Sequence, residues 1–453
     1  MYSKKIEAIL KRHRLKPGHE VMFSKGNKSY VGVLMPKTES GDPDCIVLKI
    51  DNGYNIGLHF DSSCKIKPSK HRPPKAVRDE KEFELGKVKK KLLNLKFDKN
   101  KPEVSLVATG GTIGSRVDYQ TGGVTGLMNP KEFLHNVPEL ADVINLGKII
   151  SPLTKMSEDM EPADWQLIAE AVAKEVNSGR SVIVSHGTDT LHYTSAALSF
   201  MLKKLTRPVV MIGSQRSSDR GSSDAGMNLI CAAHSSVGKI AGVNVCMHGS
   251  MSDDYCLLIR GTRARKMHTS RRDAFRPIND LPLAKVWTNG KTEIVDKNYI
   301  PVGKGKVEVD TRFQPKIALV KVFPGSDPGV LNYYLDKKYK GFIVEGTGLG
   351  HVPTEANKSW TKKIKTVVNS GIPVVVTSQT IYGRVHTDVY SNLRALFRDA
   401  GAISGEDMTS ETAYVKLGIA LGHLKKTEEI TRFVQTNLVG EINPRSLTET
   451  FLY

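Results

Sequence analysis

Two runs of apolar, mostly β-branched residues in this chain each empty into a glycine-containing turn that carries threonines. The first is Val104–Ala108, followed by Thr109-Gly110-Gly111-Thr112-Ile113-Gly114. The second is Ser181–Val184, followed by Ser185-His186-Gly187-Thr188-Asp189-Thr190. A buried strand that ends in such a turn places small hydroxyl side chains at the carboxyl edge of a sheet, where open α/β folds bind their ligands. Together the motifs supply two hydroxyls, Thr112 and Thr188, and one carboxylate, Asp189, which are the parts of a hydroxyl-nucleophile site. No Gly-Lys-Ser/Thr follows either turn, so a P-loop is excluded. Gly-x-Gly-x-x-Gly is absent at 109–114, which argues against dinucleotide binding. Taken alone, a Gly-Gly-Thr turn is also an ordinary tight turn.

The pattern around these motifs implies an α/β core. Pro162 to Val176 has apolar residues at helical spacing, Ser181–Val184 reads as a buried strand, Thr194 to Leu205 as a helix, and Pro208–Ile212 as the next strand. Such a βαβ rhythm implies parallel-rich sheets covered by helices. It lapses over 291–314, where Val302-Gly303-Lys304-Gly305-Lys306 suggests a linker, and resumes with strands at Ile317–Val322, Gly341–Val344 and Pro373–Thr377. The expected organisation is a first α/β domain over 102–290, a second over 315–436 and a tail over 437–453. Ahead of them, residues 1–66 show short strands separated by turn signals such as Lys25-Gly26-Asn27, which suggests a small barrel-like β domain. Residues 67–101 read as a connector with a short helix around Glu80 to Leu95.

Charge is unevenly spread. The net charge is +19, and Lys65 to Lys101 alone holds 14 Lys/Arg against 5 Asp/Glu. A field of this sign draws polyanions, although a solvated linker has the same composition. No nucleic-acid motif accompanies it, so it suggests proximity to nucleic acid rather than sequence reading. The 5 cysteines form no Cys-x-x-Cys, which argues against a disulfide framework or a zinc site and for a reducing cytosol. No long apolar run predicts a membrane span, and the first residues lack the apolar region of a signal peptide, so a cytoplasmic protein is expected.

Two further segments complete a constellation: Lys155-Met156-Ser157-Glu158-Asp159-Met160 and Arg263-Ala264-Arg265-Lys266-Met267-His268-Thr269. With Gly213-Ser214-Gln215-Arg216, their order and spacing resemble the bacterial-type L-asparaginases over roughly Val104 to Leu424. The N-terminal β domain and basic connector, joined to Ser185–Thr194 and Gly213–Arg220, narrow the resemblance to the D-subunit family of archaeal glutamyl-tRNA(Gln) amidotransferases. That resemblance implies a two-domain asparaginase-like α/β core that releases ammonia from Gln or Asn. It implies that Thr112, Thr188, Asp189 and Lys266 are catalytic, that Ser157 and Glu158 bind substrate, and that Tyr119 is the tyrosine of the loop after the first motif. No metal and no cofactor are implied in this chain; ATP and Mg are implied at the partner, the amidotransferase E subunit, which activates the glutamate of Glu-tRNA(Gln). A homodimeric core within an α2β2 assembly is implied as well.

The residues themselves agree with this chemistry. An amide carbonyl is a poor electrophile, so the hydroxyl needs a base and the oxyanion needs donors, for which backbone N–H groups of the Gly-rich turns are suited. Lys266 suits the base if burial or the adjacent Arg263 and Arg265 lower its pKa. Asp189 suits the substrate ammonium. Locally, Thr188 and Asp189 also suit a helix N-cap, Ser157 a cap with Glu158 in the first turn, Lys266 a solvated charge, and His186 and His192 structural roles. A free-standing L-asparaginase and a catalytically silent tRNA-associated scaffold are the alternative functions. Thr112→Val, Thr188→Val and Lys266→Met are each expected to abolish ammonia release without unfolding the chain, because grouped catalytic residues act as a unit. Retention of more than about a tenth of the wild-type rate in a threonine variant rules out that assignment.

Overall fold

The computed structural model describes residues 2–35, 42–50, 55–69, 98, 100–110, 115–117, 124–126, 137, 139–216 and 222–453. The connector helix expected around Glu80 to Leu95, Thr112 and Tyr119 all lie outside the described residues.

At the N-terminal end, strands β1 (Glu20–Lys25), β2 (Lys28–Leu34), β3 (Cys45–Lys49), β4 (Asn55–His59) and β5 (Cys64–Pro68) form an antiparallel sheet in the order β4-β3-β2-β1-β5. Lys25 pairs with Lys28 across the two-residue turn Gly26-Asn27, with Gly26 at φ +55, where a side chain is disfavoured. A helix absent from the sequence reading, α1 (Lys4–Arg12), packs Ile6 and Leu10 against Val21, Phe23, Leu34, Ile46 and Ile66. Its apolar residues are too few to separate it from a loop by periodicity, and the sheet supplies the face it buries.

The first α/β unit is built on strands β6 (Glu103–Ala108), β7 (Asn145–Ile150), β8 (Ser181–Ser185), β9 (Pro208–Ile212), β10 (Gly242–His248), β11 (Cys256–Arg260), β14 (Ala284–Val286) and β15 (Thr292–Ile294). Their order is β15-β14-β11-β10-β9-β8-β6-β7. The five strands from β7 to β10 run parallel and the last three are antiparallel. Between β11 and β14, the short strands β12 (Ala264–Lys266) and β13 (Phe275–Pro277) form a separate antiparallel ribbon. Helices α2 (Pro162–Asn177), α3 (Leu191–Met201) and α4 (Ala225–Ser236) cover the sheet, which explains why β8, β9 and β10 are buried at every residue. Helix α2 begins with Pro162 and a reciprocal capping box between Glu161 and Asp164.

Two expected boundaries shift. The helix expected from Thr194 begins at Leu191 and stops at Met201, because Leu202-Lys203 pair with Glu308-Val309. The segment expected to be a featureless linker contributes that pairing strand as well as β15.

The second unit has four parallel strands, β16 (Ile317–Lys321), β17 (Gly341–Gly346), β18 (Val374–Ser378) and β19 (Ile403–Ser404), adjacent in that order. Helices α5 (Val330–Asp336), α6 (Trp360–Asn369), α7 (Ser410–His423) and α8 (Thr427–Gln435) surround it. Helix α7 joins the units: its Val415 and Ile419 lie in the same core cluster as Trp165, Leu191 and Phe275. Trp165, Phe313, Tyr193 and Tyr414 add edge-on and tilted ring contacts at 5.5–6.5 Å. A Cβ at Gly418 would lie 2.2 Å from the Phe313 ring, so α7 reaches this position only with glycine there. Among the described residues no helix is long and apolar enough to cross a membrane.

Charge also ties the units together. Arg263, just before β12, is 1% exposed and bonds Asp407 Oδ2 at 3.1 Å, the Asp407 carbonyl at 3.2 Å and the Gly440 carbonyl at 3.0 Å. Removing one partner of a buried pair strands the other charge. Asp407→Ala is therefore expected to destabilise the chain by about 3 kcal/mol or more, read as a lower urea midpoint. A midpoint equal to wild type removes this pair as an interdomain tie.

Candidate active site

Strand order determines where a site can form. The chain enters the sheet at β6, crosses to one side for β7, then returns to the other side for β8 and continues through β9 and β10. The reversal of direction falls between β6 and β8. At such a reversal the carboxyl ends of the two strands are the usual ligand position of open parallel sheets. These are the strands that empty into the two threonine motifs.

The crevice at these strand ends is bounded by close backbone approaches. Thr109 donates from its amide and its hydroxyl to the Ser185 carbonyl, at 3.1 and 3.0 Å, stitching the two strand ends together. Gly110 sits at φ +101, and a Cβ there would lie 2.5 Å from the Lys155 carbonyl oxygen. The Lys155 amide donates to the Thr109 carbonyl at 3.0 Å. A Cβ on Gly187 would stand 2.7 Å from Ser157 Cβ and 2.8 Å from Ser157 Oγ, so the segment carrying Ser157 rests directly on the second motif. Thr190 Oγ1 donates to the Ser157 carbonyl at 2.6 Å and fixes this contact. Ser157 is buried and Glu158 exposed, at the start of a single 3-10 turn, Ser157–Asp159.

Lys266 closes the group. Its Nζ donates to Thr188 Oγ1 at 2.9 Å and to Asp189 Oδ1 at 2.6 Å. The Lys266 side chain is 11% exposed, whereas that of Asp189 is 63% exposed and so presents carboxylate oxygen to the crevice. Thr188 is buried; its methyl abuts the position of Gly213, where a Cβ would be 2.7 Å away. The local alternatives for these residues fail. Helix α3 starts at Leu191 with Thr190 in the cap position, so Thr188 and Asp189 are not its caps, and the Lys266 side chain is not a solvated charge. Thr188, Asp189, Lys266 and Ser157 are thus brought together, and Glu158 lies beside them in sequence.

The reading that Arg263 and Arg265 act on Lys266 needs correction. Along β12 neighbouring side chains alternate in direction. Arg263 is spent on Asp407 and Arg265 on Glu411, at 3.0 Å, so each positive charge carries its own carboxylate.

The residues supporting the site are mostly ones that sequence reasoning passed over. His186 is wholly buried; its Nδ1 faces the Gly187 carbonyl at 2.7 Å and its Nε2 faces Thr194 Oγ1 at 2.9 Å. Burial lowers its pKa to about 4, so it is neutral near pH 7, donates from Nδ1 and accepts at Nε2, holding the second motif. Asp224, fully buried before α4, accepts from Ser214 Oγ, the Gln215 amide and the Arg216 amide at 3.0–3.1 Å and shapes the turn after β9. Thr109, Thr190 and Asp224 had a signal only in their nearness to the motifs; nothing in the sequence states which carbonyl or amide each one meets. Among the described residues no group of three or more His, Cys, Asp and Glu side chains is arranged to hold a metal.

Comparison with known proteins bears on this geometry. Three family models match: the N-terminal domain of asparaginase over residues 103–299, the glutaminase/asparaginase C-terminal domain over 316–434, and the GatD N-terminal domain over 15–68. The D subunit of glutamyl-tRNA(Gln) amidotransferase from Thermococcus kodakarensis is 45% identical over 457 residues, covering 99% of each chain. The D subunit from Pyrococcus furiosus is 45% identical, covering 99% of this chain and 100% of its own. Among solved structures, the thermostable L-asparaginase from Thermococcus kodakarensis superposes with a TM-score of 0.67 at 30% identity, over 75% of this chain and 99% of its own. L-asparaginase I from Vibrio cholerae gives 0.65 at 30% identity, over 76% and 99%.

The Gly187–Ser157 contact is a test of the crevice. Gly187→Ala forces the Ser157 segment away from Thr188 and is expected to lower kcat/KM for an amide donor about 10- to 100-fold with an unchanged circular dichroism spectrum. Wild-type kinetics in a folded variant removes Ser157 from the site.

Proposed function

The chain belongs to the family of glutamyl-tRNA(Gln) amidotransferase D subunits, built on an asparaginase-type core, and on that footing we propose how its residues divide the work. It is an amidohydrolase subunit of a tRNA-dependent amidotransferase. The observation that carries the reading is the Lys266 amine bonded at once to Thr188 Oγ1 and to Asp189. A threonine hydroxyl, from Thr112 or Thr188, attacks the carboxamide carbon of Gln or Asn while its proton passes to Lys266, which acts as the base. The tetrahedral oxyanion collapses, the C–N bond breaks, and the nitrogen leaves as ammonia, taking a proton back from Lys266. Water then cleaves the acyl-threonine ester and frees the acid. Asp189 takes the substrate α-ammonium, Ser157 and Glu158 hold the α-amino-acid end, and Tyr119 assists from its loop.

Ammonia is useful to such an assembly only if a second site consumes it. We assign that site to a partner, the amidotransferase E subunit, which uses ATP and Mg to activate the glutamate of Glu-tRNA(Gln), with two copies of each chain in the assembly. This chain needs no cofactor of its own in that scheme, and the site of action is the cytoplasm. A free-standing asparaginase accounts for the core but leaves the N-terminal sheet without a purpose, since hydrolysis of a free amide does not need it.

Coupling of the two sites predicts conditional activity. Steady-state ammonia release is expected to be slow with the chain alone and strongly raised by the E-type partner together with Glu-tRNA(Gln). Equal rates in both conditions make the free-standing asparaginase the better reading.

A further inference from the structure

Helix α7 belongs to the second α/β unit, yet its first turn lies against the strand that carries Lys266. Thr412 Oγ1 donates to the Thr262 carbonyl at 2.9 Å, and Thr409 caps the helix by accepting from the Thr412 amide. Between these threonines stands Glu411, whose side chain is 10% exposed. One of its oxygens, Oε1, takes two partners: Arg265 Nε at 3.0 Å and His192 Nε2 at 3.8 Å. Arg265 is the residue before Lys266. His192 is in the first turn of α3, which continues directly from Thr188-Asp189-Thr190. A single carboxylate of the second unit therefore bridges the two segments whose side chains meet in the Lys266–Thr188 hydrogen bond.

We propose that Glu411 is a positioning residue for amide hydrolysis, one that fixes the Lys266 strand against the Thr188 helix and cancels the charge of Arg265, the residue next to Lys266 in the chain. The proposal rests on the reading of Lys266 as the proton acceptor. Burial works to raise the Glu411 pKa, but His192 and Arg265 outweigh it and hold the carboxyl down at about 2, so the group stays ionised wherever the protein works. The titratable groups on the packed elements are Arg265 on β12, His192 and Tyr193 on α3, Glu345 on β17 and Tyr414 on α7. Asp189 is the carboxylate that Lys266 itself meets.

This charge arrangement makes opposite predictions for its two members. Glu411→Gln keeps the shape and leaves the Arg265 cation uncompensated, which disfavours a second positive charge on the neighbouring amine. The acidic limb of kcat/KM is expected to move to lower pH by about half a unit or more. Arg265→Gln leaves the Glu411 anion in excess, and the same limb is expected to move to higher pH. In the double variant the two changes cancel and the limb is expected to return close to wild type.

The experiment is the pH profile of ammonia release from Gln by the full chain in complex with its partner and Glu-tRNA(Gln), for wild type, both single variants and the double variant. Thermal unfolding of each identifies folded samples; if Glu411→Gln fails to fold, the Arg265→Gln shift alone decides. Opposed shifts that cancel support the proposal. Folded variants that lose kcat with the limb unmoved, or that match wild type, overturn it and leave the Lys266 reading standing. A wild type that releases no ammonia overturns the reading of the site and this proposal with it.

Discussion

The Lys266 amine meets Thr188 and Asp189 across 78 and 77 positions of chain, and the rest of the fold is arranged so that this meeting occurs. Thr188 is delivered by the parallel part of the sheet and stands one turn beyond β8. Lys266 arrives from the opposite direction, after the chain has turned back at β11 and left the sheet for a two-stranded ribbon. A threonine hydroxyl has no nucleophilic character without a base at hydrogen-bond distance. In the proposed reaction the ribbon is therefore as necessary as the threonine turn, although its sequence reads only as a basic stretch.

Room for the group is made by glycine. At Gly110, Gly187 and Gly213 a Cβ would lie 2.5–2.7 Å from the Lys155 carbonyl, Ser157 and the Thr188 methyl. These contacts lie on three different loops and all press toward the same crevice. A site assembled by backbone approach is held by many bonds to main-chain carbonyls, such as those from Thr109 and Thr190, and has little freedom to drift.

The second α/β unit is more than a neighbour. It supplies Asp407 to the buried Arg263 and Glu411 to Arg265 and His192, and it inserts α7 into the core of the first unit. Three basic side chains crowd one short segment, Arg263, Arg265 and Lys266, and each meets a different carboxylate. Alternation along the strand separates Arg265 from Lys266, and Arg263 lies before the strand. What looks in one dimension like a positive patch is in three dimensions a set of neutralised pairs facing different elements.

Much of this was legible in the residues. The strand-turn pattern at Val104–Thr112 and Ser181–Thr190 identified an α/β core and the edge of the sheet that carries the site, because hydrophobic runs and glycine turns are local signals. The order of four segments marked Thr188, Asp189, Lys266 and Ser157 as one group. Other features depended on contacts between residues far apart in sequence. The stop of α3 at Met201 is decided by a pairing strand at Glu308-Val309. Helix α1 exists because the N-terminal sheet covers its two buried residues. The partners of Arg263 and Arg265 stand 144 and 146 positions away, just before and within the first turn of α7, whose own pattern says nothing about them. Sequence determined which side chains were present and which local shapes they favoured; the tertiary structure alone decided which charges were left to act on one another, since that depends on distances no local pattern encodes.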